Sequence, residues 1–266
     1  PIRMLADRFN TLQMGLVSSE RVFAIIDKDE TIPTIENPKS LNNFQGEVDF
    51  KNVWFAYNNE EWVLKDISFH VKKGETIALV GSTGAGKSTI INLLRRFYEF
   101  QKGTICVDGE DIRQLDLEQI RQNISVVLQD VFLFSGSIKK NISLEDKSIS
   151  DDEIINAAKA VGANDFISKL PDGYDFDVRE RGGMLSAGQR QLLAFIRAYV
   201  YNPKILVLDE ATSSVDTETE LLIQNAIEKL TENRTSIIIA HRLSTIKKAD
   251  RIYVMDKGKI IEFGSH

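Results

Sequence analysis

The segment Gly81–Ser88 constrains this chain more than any other part of its sequence. Its residues match the phosphate-binding pattern G-x-x-x-x-G-K-[ST] at every fixed position. The apolar run at residues 76–80 predicts a short buried strand before it, and residues 89–94 predict the start of a helix after it. The pattern requires this strand–loop–helix context. The segment therefore predicts a nucleoside triphosphate site, the alternative being a glycine-rich turn with an accidental Lys-Ser pair.

The residue types of this loop suit a bound phosphate. Glycines let the backbone wrap an anion without Cβ clashes, and N–H groups at a helix N-terminus point toward it. We expect Lys87 to reach the β- and γ-phosphates and Ser88 to ligate Mg²⁺. The residues expected to hold the nucleotide are Gly81, Ser82, Thr83, Gly84, Ala85, Gly86, Lys87, Ser88 and Thr89.

Two adjacent carboxylates follow a second apolar run. Residues 205–208 predict a buried strand, and Asp209 and Glu210 stand at its carboxyl end, where parallel sheets bind ligands. Asp209 is expected to hold Mg²⁺, directly or through water, and Glu210 to orient or deprotonate an attacking water. Neighbouring carboxylates repel each other unless a cation or proton relieves them. The alternative is a solvated acidic strand end.

A third motif predicts a second anion site. Residues 185–191 lead into a helix predicted over residues 187–200 through a tight turn of small residues. Ser186 and the backbone N–H groups around Gly188 then lie at a helix N-terminus, which favours an anion. One ATP cannot easily use both phosphate-binding surfaces of one subunit. The sequence therefore predicts a head-to-tail pair that shares two nucleotides.

Composition argues against several other classes of protein. The chain has 266 residues and a net charge of −6 without a basic tract, which counts against nucleic acid as a partner. The three histidines are not expected to cluster with other ligands, so a zinc site is not predicted. The single cysteine, Cys106, cannot form an internal disulfide and is expected to be a small apolar residue of a strand. No apolar run has the length of a membrane span.

The pattern of elements predicts an α/β protein. Apolar residues at helical spacing predict one amphipathic helix over residues 2–27. This helix is either linked to a membrane part of a larger protein or is a surface helix packed on its own domain. Residues 31–46 are predicted as a linker and residues 47–266 as one domain, with a helical block at about residues 130–201. The predicted strands are residues 47–57, 67–71, 76–80, 104–107, 124–128, 204–208, 236–240, 251–255 and 260–263. Ser150 or Asp151 is the predicted N-cap of a helix that ends at Val161.

Together these motifs resemble the nucleotide-binding domain of ABC transporters, and specifically of bacterial multidrug-type ABC exporters. Residues 185–189 are similar to the family's signature, whose common form is L-S-G-G-Q. Residues 129–138 are similar to its Q-loop, and residues 180–183 to its X-loop. Residues 209–216 resemble Walker B followed by the D-loop, and residues 239–242 resemble the switch-histidine segment. The resemblance covers nearly the whole chain and implies a P-loop core with an antiparallel β subdomain and an inserted helical subdomain.

The resemblance also implies a role for individual residues. Tyr57 would stack on adenine, and the catalytic set would be Lys87, Gln129, Glu210 and His241. Glu210 would be the base, His241 would contact the γ-phosphate, and Gln129 would sense Mg²⁺ and the attacking water. The implied metal ligands are Ser88, Gln129 and Asp209. The residues implied to bind the partner's ATP are Ser186, Gly188 and Gln189.

The resemblance further implies partners and a place in the cell. Ser214 and Asp216 would line the seam with a second nucleotide-binding domain, and Glu180 would contact coupling helices of a fused membrane domain. Residues 1–30 resemble the tail of the last transmembrane helix, which places the domain at the cytoplasmic face of a membrane. We also expect more helix beyond His266, where the sequence stops immediately after a strand.

Two departures from the family pattern suggest a particular kind of pair. Ala187 stands where the family usually has glycine, and its Cβ costs roughly 1 kcal/mol if that position needs a positive φ. Leu192 stands where arginine is common. Both residues are expected on the surface offered to the partner, which predicts a heterodimer in which this chain contributes a weakened signature. Neutral variation in a homodimer is the alternative.

Other functions remain open at this level. A soluble ABC ATPase that acts on DNA or ribosomes shares the chemistry, although such proteins usually carry long insertions, a tandem cassette or basic surfaces. A P-loop kinase for a small molecule would lack the residue 185–189 motif, and a regulatory nucleotide-binding module would not need Glu210. The sequence does not identify a transported substrate.

Overall fold

The computed structural model describes residues 2–28, 31–33, 35–58, 60–209, 217–240 and 242–266, except the side chains of Thr217 and Glu218. The chain divides into two compact units, Pro1–Pro33 and Thr34–His266.

The first unit consists mainly of one helix, α1, at Ile2–Ile26. This confirms the predicted amphipathic helix to within one residue. None of its residues is buried, and its large apolar side chains, including Phe9 and Phe23, are exposed. Among the described residues, no helix combines the length and apolar character needed to cross a bilayer.

The second unit is an α/β domain, as predicted from the order of its elements. Its strands are β1 (Val48–Ala56), β2 (Trp62–Val71), β3 (Thr76–Gly81), β4 (Lys102–Val107), β5 (Glu110–Asp111), β6 (Ile124–Val127), β7 (Ile205–Asp209), β8 (Thr235–Ile239), β9 (Arg251–Asp256) and β10 (Lys259–Gly264). Its helices are α2 (Lys87–Leu94), α3 (Leu117–Asn123), α4 (Ile138–Ser143), α5 (Asp151–Val161), α6 (Asn164–Ser168), α7 (Ala187–Val200), α8 (Thr217–Thr231) and α9 (Leu243–Lys248).

The strands form two sheets. Four strands in the order β2-β1-β4-β5 make an antiparallel sheet, and six in the order β10-β9-β3-β8-β7-β6 make the second. In the second sheet β9, β3, β8, β7 and β6 run parallel, while β10 returns antiparallel to β9 through a tight turn. The carboxyl ends of the parallel strands therefore meet at one edge, where the predicted site residues stand.

The six-stranded sheet separates two apolar cores. Successive residues of its central strands alternate between them: Ile205 and Val207 belong to the core shared with the antiparallel sheet and α2, while Leu206 and Leu208 belong to the core under α4–α8. This is the period of two expected of a strand. Because each fully buried Leu or Ile contributes about 1.5–3 kcal/mol relative to an exposed one, burial on both faces strongly stabilises these strands.

Local signals explain several helix boundaries. Ser150 is the N-cap of α5, its hydroxyl accepts from the Glu153 N–H, and the Glu153 carboxylate accepts from the Ser150 N–H. This capping box confirms one of the two predicted N-caps. Helices α3, α8 and α9 were not predicted, although α8 buries Ile223, Ala226, Ile227 and Leu230 at helical spacing.

The segment predicted as a linker is attached to the domain over its second half. Lys39 pairs with the main chain at Gln114 and Asp116. The Asp108 carboxylate accepts hydrogen bonds from the backbone N–H groups of residues 45, 46 and 47. Phe44 is buried in the core. Residues 39–46 therefore fold with the domain despite their loop-like composition.

The expectation that no histidine lies near other possible metal ligands is wrong for His70. Strands β1 and β2 pair His70 with Asp49, which places the Nδ1 atom 2.9 Å from an Asp49 oxygen and Nε2 3.7 Å from a Glu47 oxygen. The cluster forms across strands, so sequence spacing could not reveal it. Both ring nitrogens face carboxylates, as in a surface ion cluster.

Candidate nucleotide-binding site

The predicted phosphate loop joins β3 to α2 and depends on its glycines. Gly86 has a φ of 102°, and a Cβ there would lie 2.6 Å from a Leu64 methyl carbon. A Cβ on Gly81 would lie 2.2 Å from the Met255 carbonyl oxygen, because Gly81 pairs with Met255 between β3 and β9. Any larger residue at either position must move the surrounding backbone or core. The loop conformation is therefore tied to glycine at these two positions.

The β9–β10 turn supports the loop from a distant part of the sequence. The Gly258 N–H donates to the Ala85 carbonyl oxygen at 3.2 Å, and the Gly258 carbonyl accepts from the Lys65 N–H at 2.7 Å. Gly258 has a φ of 81°, and a Cβ there would lie 2.1 Å from the Val63 carbonyl oxygen. Sequence reasoning found the hairpin turn but not this contact, since its partners lie more than 170 residues away.

The loop opens into a cavity of about 250 Å³ at the carboxyl edge of the parallel strands. Its lining brings together residues from four separate motifs: Val63, Thr83, Gly84, Gly86, Lys87, Ser88, Thr89, Gln129, Asp209 and Ile239. Gln129 follows β6 by two residues, and Asp209 ends β7. The structure thus places the predicted Lys87, Ser88, Gln129 and Asp209 around one space. A cavity of this size with converging polar groups suits a small anionic ligand.

The Lys87 ammonium is held inside this site before any ligand is considered. Its Nζ atom donates to the carbonyl oxygens of Gly81 at 2.8 Å and Ser82 at 2.9 Å, and the side chain is buried. Burial lowers the pKa of Lys87 below its ordinary value, and the negative charge of Asp209 partly offsets this. An ammonium has three donors, so these two bonds leave one for a phosphate oxygen.

The oxygen donors of the cavity fit a hard divalent cation. The Ser88 hydroxyl, the Gln129 amide oxygen and the Asp209 carboxylate line the same space. Magnesium prefers such oxygen ligands and usually completes its shell with water and substrate phosphates. The donor set therefore fits Mg²⁺ held together with a nucleotide, with no nitrogen or sulfur ligand among the three.

Tyr57 lies beside the loop with a partly exposed ring, 45% accessible. Its hydroxyl lies 3.2 Å from the Thr89 hydroxyl and accepts from the Asn92 amide at 3.2 Å. The ring makes edge-to-face contacts with Phe55 and Tyr98, with centroids 4.7 and 4.9 Å apart. The helix that carries the phosphate loop thus fixes the orientation of an exposed aromatic ring, as a base-stacking role needs.

The second predicted anion site stands at the N-terminus of α7. Ser186 is the N-cap: its hydroxyl accepts from the Gln189 N–H, and the Gln189 side-chain oxygen accepts from the Ser186 N–H. Gly188 is buried in the first turn. These two bonds use neither the Ser186 hydroxyl proton nor the Gln189 side-chain nitrogen as a donor. Within the described chain, neither these residues nor Gly188 line the 250 Å³ cavity.

Both residues used to infer a weakened signature behave differently from that expectation. Ala187 is the first residue of α7 and does not have a positive φ, so the anticipated strain is absent at this described position. Leu192 is 1% exposed and packs in the core under α4–α8, so its assignment to a partner-facing surface is wrong. Helical periodicity explains the error, since Leu192 faces inward with Leu193 and Ile196. Leu192 therefore no longer supports a heterodimer, whereas Ala187 is exposed as expected but without the anticipated strain.

The remaining predicted residues fall into two groups. Glu180 is exposed in a short helical turn before α7, where a contact with another polypeptide is sterically possible. Glu210, Ser214, Asp216 and His241 lie outside the described residues. Asp209 is the last residue of β7, and Ala240 is the first residue after β8. Both lie at the sheet edge that carries the cavity.

A family model described as "ABC transporter" matches residues 64–213, more than half of the chain. The chain belongs to the ABC transporter family. Its members are ATPases, and this chain is an ATP-binding domain of that family. The match includes the phosphate loop, Gln129, the signature turn and the strand that ends at Asp209.

Named relatives agree with this assignment. The putative ABC transporter ATP-binding protein exp8 of Streptococcus pneumoniae is 51% identical over the whole chain, which covers 45% of that protein. The probable multidrug resistance ABC transporter ATP-binding/permease protein YheH of Bacillus subtilis is 47% identical over the whole chain, which covers 39% of it. The chain thus spans less than half the length of these relatives.

A solved structure supports the fold directly. A bacterial Atm1-family ABC exporter with ATP bound superposes with a TM-score of 0.86 and 41% sequence identity. The superposition covers 97% of this chain and 45% of that one. The expected P-loop core, antiparallel β subdomain and helical subdomain are therefore confirmed.

Proposed function

We propose that this domain binds MgATP, pairs head to tail with a second ABC nucleotide-binding domain, and hydrolyses ATP to drive export by a fused membrane domain. The observation that carries the proposal is the gathering of Lys87, Ser88, Gln129 and Asp209 around one cavity. These residues come from separate elements, and their convergence matches the requirements of triphosphate chemistry.

Positioning and charge neutralisation provide most of the rate in this proposal. The loop N–H groups hold the β-phosphate, and the free donor of Lys87 bonds to a γ-phosphate oxygen. Ser88, Gln129 and Asp209 hold Mg²⁺, which supplies positive charge beside the phosphates when it is bound. Tyr57 stacks on the adenine ring and Thr89 fixes the Tyr57 hydroxyl.

The chemical step is attack of water on the γ-phosphorus. A new P–O bond forms as the bond between the γ-phosphorus and the β–γ bridging oxygen breaks, and ADP leaves with that electron pair. We assign the acceptance of the water proton to Glu210 and the alignment of the γ-phosphate to His241. Gln129, exposed at the cavity edge, links the occupied site to the neighbouring helical block.

A second domain completes the site in this proposal. Ser186, Gly188 and Gln189 stand at a helix N-terminus that favours an anion, yet they do not line the chain's own cavity in the described structure. A head-to-tail arrangement brings this turn of one domain to the γ-phosphate of the other. Ser214 and Asp216 are assigned to the seam. The partner is either a second copy or a related subunit.

The membrane part is inferred from the relatives. One relative is named an ATP-binding/permease protein, and the chain covers less than half of each of the two relatives compared. We propose that α1 continues a transmembrane helix, that Glu180 contacts coupling helices, and that the domain works at the cytoplasmic face. The net charge of −6 disfavours the rival function on nucleic acid.

The proposal is tested with the full-length protein in lipid vesicles. Glu210→Gln should keep ATP binding but reduce hydrolysis by about 10²–10⁴-fold, because a general base is lost while the charge pattern of the loop is unchanged. Phosphate release and binding of a fluorescent ATP analogue are measured on the same preparation. Near-normal phosphate release from this variant would assign water activation to another group.

A further inference from the structure

The end of strand β1 is held by a side chain from the connector between α2 and β4, which spans residues 95–101. The Gln101 amide oxygen accepts from the Ala56 N–H at 3.0 Å, and the Gln101 amide nitrogen donates to the Ala56 carbonyl at 2.9 Å. The Gln101 N–H also donates to the Trp54 carbonyl at 3.2 Å. Ala56 is the last residue of β1 and directly precedes Tyr57. One residue of the connector therefore fixes the backbone from which Tyr57 projects.

The Gln101 side chain takes the place of a neighbouring strand at this point of the sheet. Strand β4 pairs with β1 no further than Trp54, which faces Lys102 at the first residue of β4. Main-chain groups beyond a ladder still need hydrogen-bond partners. A glutamine amide carries a donor and an acceptor side by side, as a peptide group does, and can pair with both groups of one residue. Gln101 thus extends the pairing of β1 as far as Ala56.

The connector is itself anchored to the core of the domain. Arg96 is buried with a φ of 51°, and its Nη1 atom donates to the carbonyl oxygens of Ile112 and Leu115 at 3.2 and 3.4 Å. The same guanidinium binds a Glu99 oxygen through Nε and Nη2, at 3.1 and 3.0 Å. Charge-assisted bonds of this kind are stronger than neutral ones. Gln101 is therefore presented to β1 from a segment with little freedom to move.

The connector also contacts the Tyr57 ring directly. The Tyr98 and Tyr57 rings meet edge to face, with their planes at 88°, and the Tyr98 centroid lies 5.8 Å from that of Phe55. Asn92 of α2 donates to the Tyr57 hydroxyl. Edge-to-face pairs fix the relative orientation of two rings. The backbone, the ring and the hydroxyl of Tyr57 are therefore each held by the segment that continues from the phosphate-loop helix.

We propose that Gln101 is a positioning residue for adenine: by pairing with Ala56 it holds the Tyr57 ring where a base can stack on it. This rests on the proposed function, in which Tyr57 stacks on adenine. A ring that is already oriented binds a base without the cost of ordering it. Gln101 should consequently affect binding of the base and leave binding of the phosphate chain unchanged.

The test measures the affinity of the full-length protein for two ligands, with EDTA present to prevent hydrolysis. Gln101→Ala should weaken ATP binding by about fivefold, because the Tyr57 ring then has to be ordered when ATP binds. Affinity for inorganic tripolyphosphate, which has no base, should not change, and this also shows that the variant is folded. Gln101→Met fills a similar volume without either amide bond and should behave like Gln101→Ala. Gln122→Ala, which removes an exposed amide bonded to Glu118, is the matched control and should change neither affinity.

A double-mutant cycle with Tyr57→Ala separates positioning of the ring from a general loss of structure. Once the ring is absent, Gln101→Ala should weaken ATP binding no further, so the two losses should not add. Additive losses, an equal loss of tripolyphosphate affinity, or wild-type ATP affinity in Gln101→Met would overturn the inference. A loss in Tyr57→Ala without one in Gln101→Ala would overturn this inference alone. Wild-type ATP affinity in Tyr57→Ala would overturn the proposed stacking as well.

Discussion

The Nζ atom of Lys87 donates a hydrogen bond to the carbonyl oxygen of Gly81 at 2.8 Å, six residues back along the same loop. A second bond, to the Ser82 carbonyl, holds the ammonium in place. The loop carbonyls thus orient the Lys87 ammonium before a phosphate binds to it. Preorganisation of this kind lowers the cost of binding.

Lys87→Ala should weaken ATP binding by about tenfold or more, because a charge-assisted bond to phosphate contributes about 1.5–3 kcal/mol. Lys87→Arg should not restore binding, since a guanidinium cannot occupy the position between two loop carbonyls that a compact ammonium fills. Affinity is measured by titration calorimetry. Wild-type affinity in Lys87→Arg would show that charge alone, and not the position of the donor, is required.

Tyr57→Ala should weaken ATP binding by about tenfold, because base stacking on an aromatic side chain contributes about 1–3 kcal/mol. Tyr57→Phe keeps the ring and loses only the contacts of the hydroxyl with Thr89 and Asn92, so a smaller loss is expected. Inorganic tripolyphosphate, which lacks a base, serves as the control ligand. If Tyr57→Ala weakened its binding equally, Tyr57 would act on the loop and not on adenine.

Gly258→Ala should lower the free energy of unfolding by more than Gly109→Ala does. The two glycines have nearly the same positive φ, 81° and 83°. Alanine at either position therefore has the same conformational cost, about 1 kcal/mol. A Cβ at Gly109 meets nothing within 4 Å, whereas at Gly258 it would lie 2.1 Å from the Val63 carbonyl oxygen. Denaturant unfolding gives the free energy of unfolding of both variants.

Gly258→Ala should also weaken ATP binding, because the Gly258 N–H donates to the Ala85 carbonyl oxygen and so supports the phosphate loop. Equal destabilisation by Gly258→Ala and Gly109→Ala would contradict the inference that the β9–β10 turn supports the phosphate loop.

Acid should weaken the domain through the Glu75–Arg251 pair. Arg251 binds both oxygens of Glu75, at 2.5 and 2.6 Å, and its other contacts are the Tyr253 hydroxyl and the His70 carbonyl. Burial alone raises the pKa of Glu75, but the hydrogen bonds and charges of Arg251 and Lys72 outweigh it, and the pKa lies below its ordinary value of 4.5. A lowered carboxyl pKa stabilises the fold above pH 4.5, and this contribution is lost as the pH falls through the lowered value.

Glu75→Gln should therefore cost about 2 kcal/mol at pH 7 and progressively less in acid. Glu232→Gln is the matched control, because its pair with Lys229 is solvent-exposed and should contribute little to stability. Unfolding of both variants is followed from pH 7 downward. A Glu75→Gln deficit that did not shrink in acid would mean that the side chain stabilises through packing alone.

Local signals in the sequence were sufficient to predict much of the fold and the site. The phosphate loop, the strand ending at Asp209 and the N-cap at Ser150 each depend on residues within a few positions of one another. The same is true of helix α7, which was predicted with the observed bounds. Helix α8 was not predicted, although Ile223, Ala226, Ile227 and Leu230 recur at helical spacing and the sequence therefore contains its signal.

Features that depend on distant contacts could not be predicted in this way. The contact between Gly258 and Ala85 and the pairing of Gly81 with Met255 join segments far apart in the chain. Helical spacing indicates the inward orientation of Leu192, whereas the family pattern suggests a surface position. The bonds from Gln101 to Ala56 depend on where the connector after α2 meets the end of β1, which no local pattern specifies.

The central claim is that each ATP is held between the phosphate loop of one domain and the Ser186 turn of another. It is tested most directly by a structure of the full-length Glu210→Gln protein with ATP and Mg²⁺, in which one distance is measured. We predict that the Ser186 hydroxyl oxygen lies within about 3 Å of a γ-phosphate oxygen whose nucleotide is bound by the Lys87 loop of the other domain. A Ser186 turn remote from every γ-phosphate, or bound to the nucleotide of its own chain, would contradict the account.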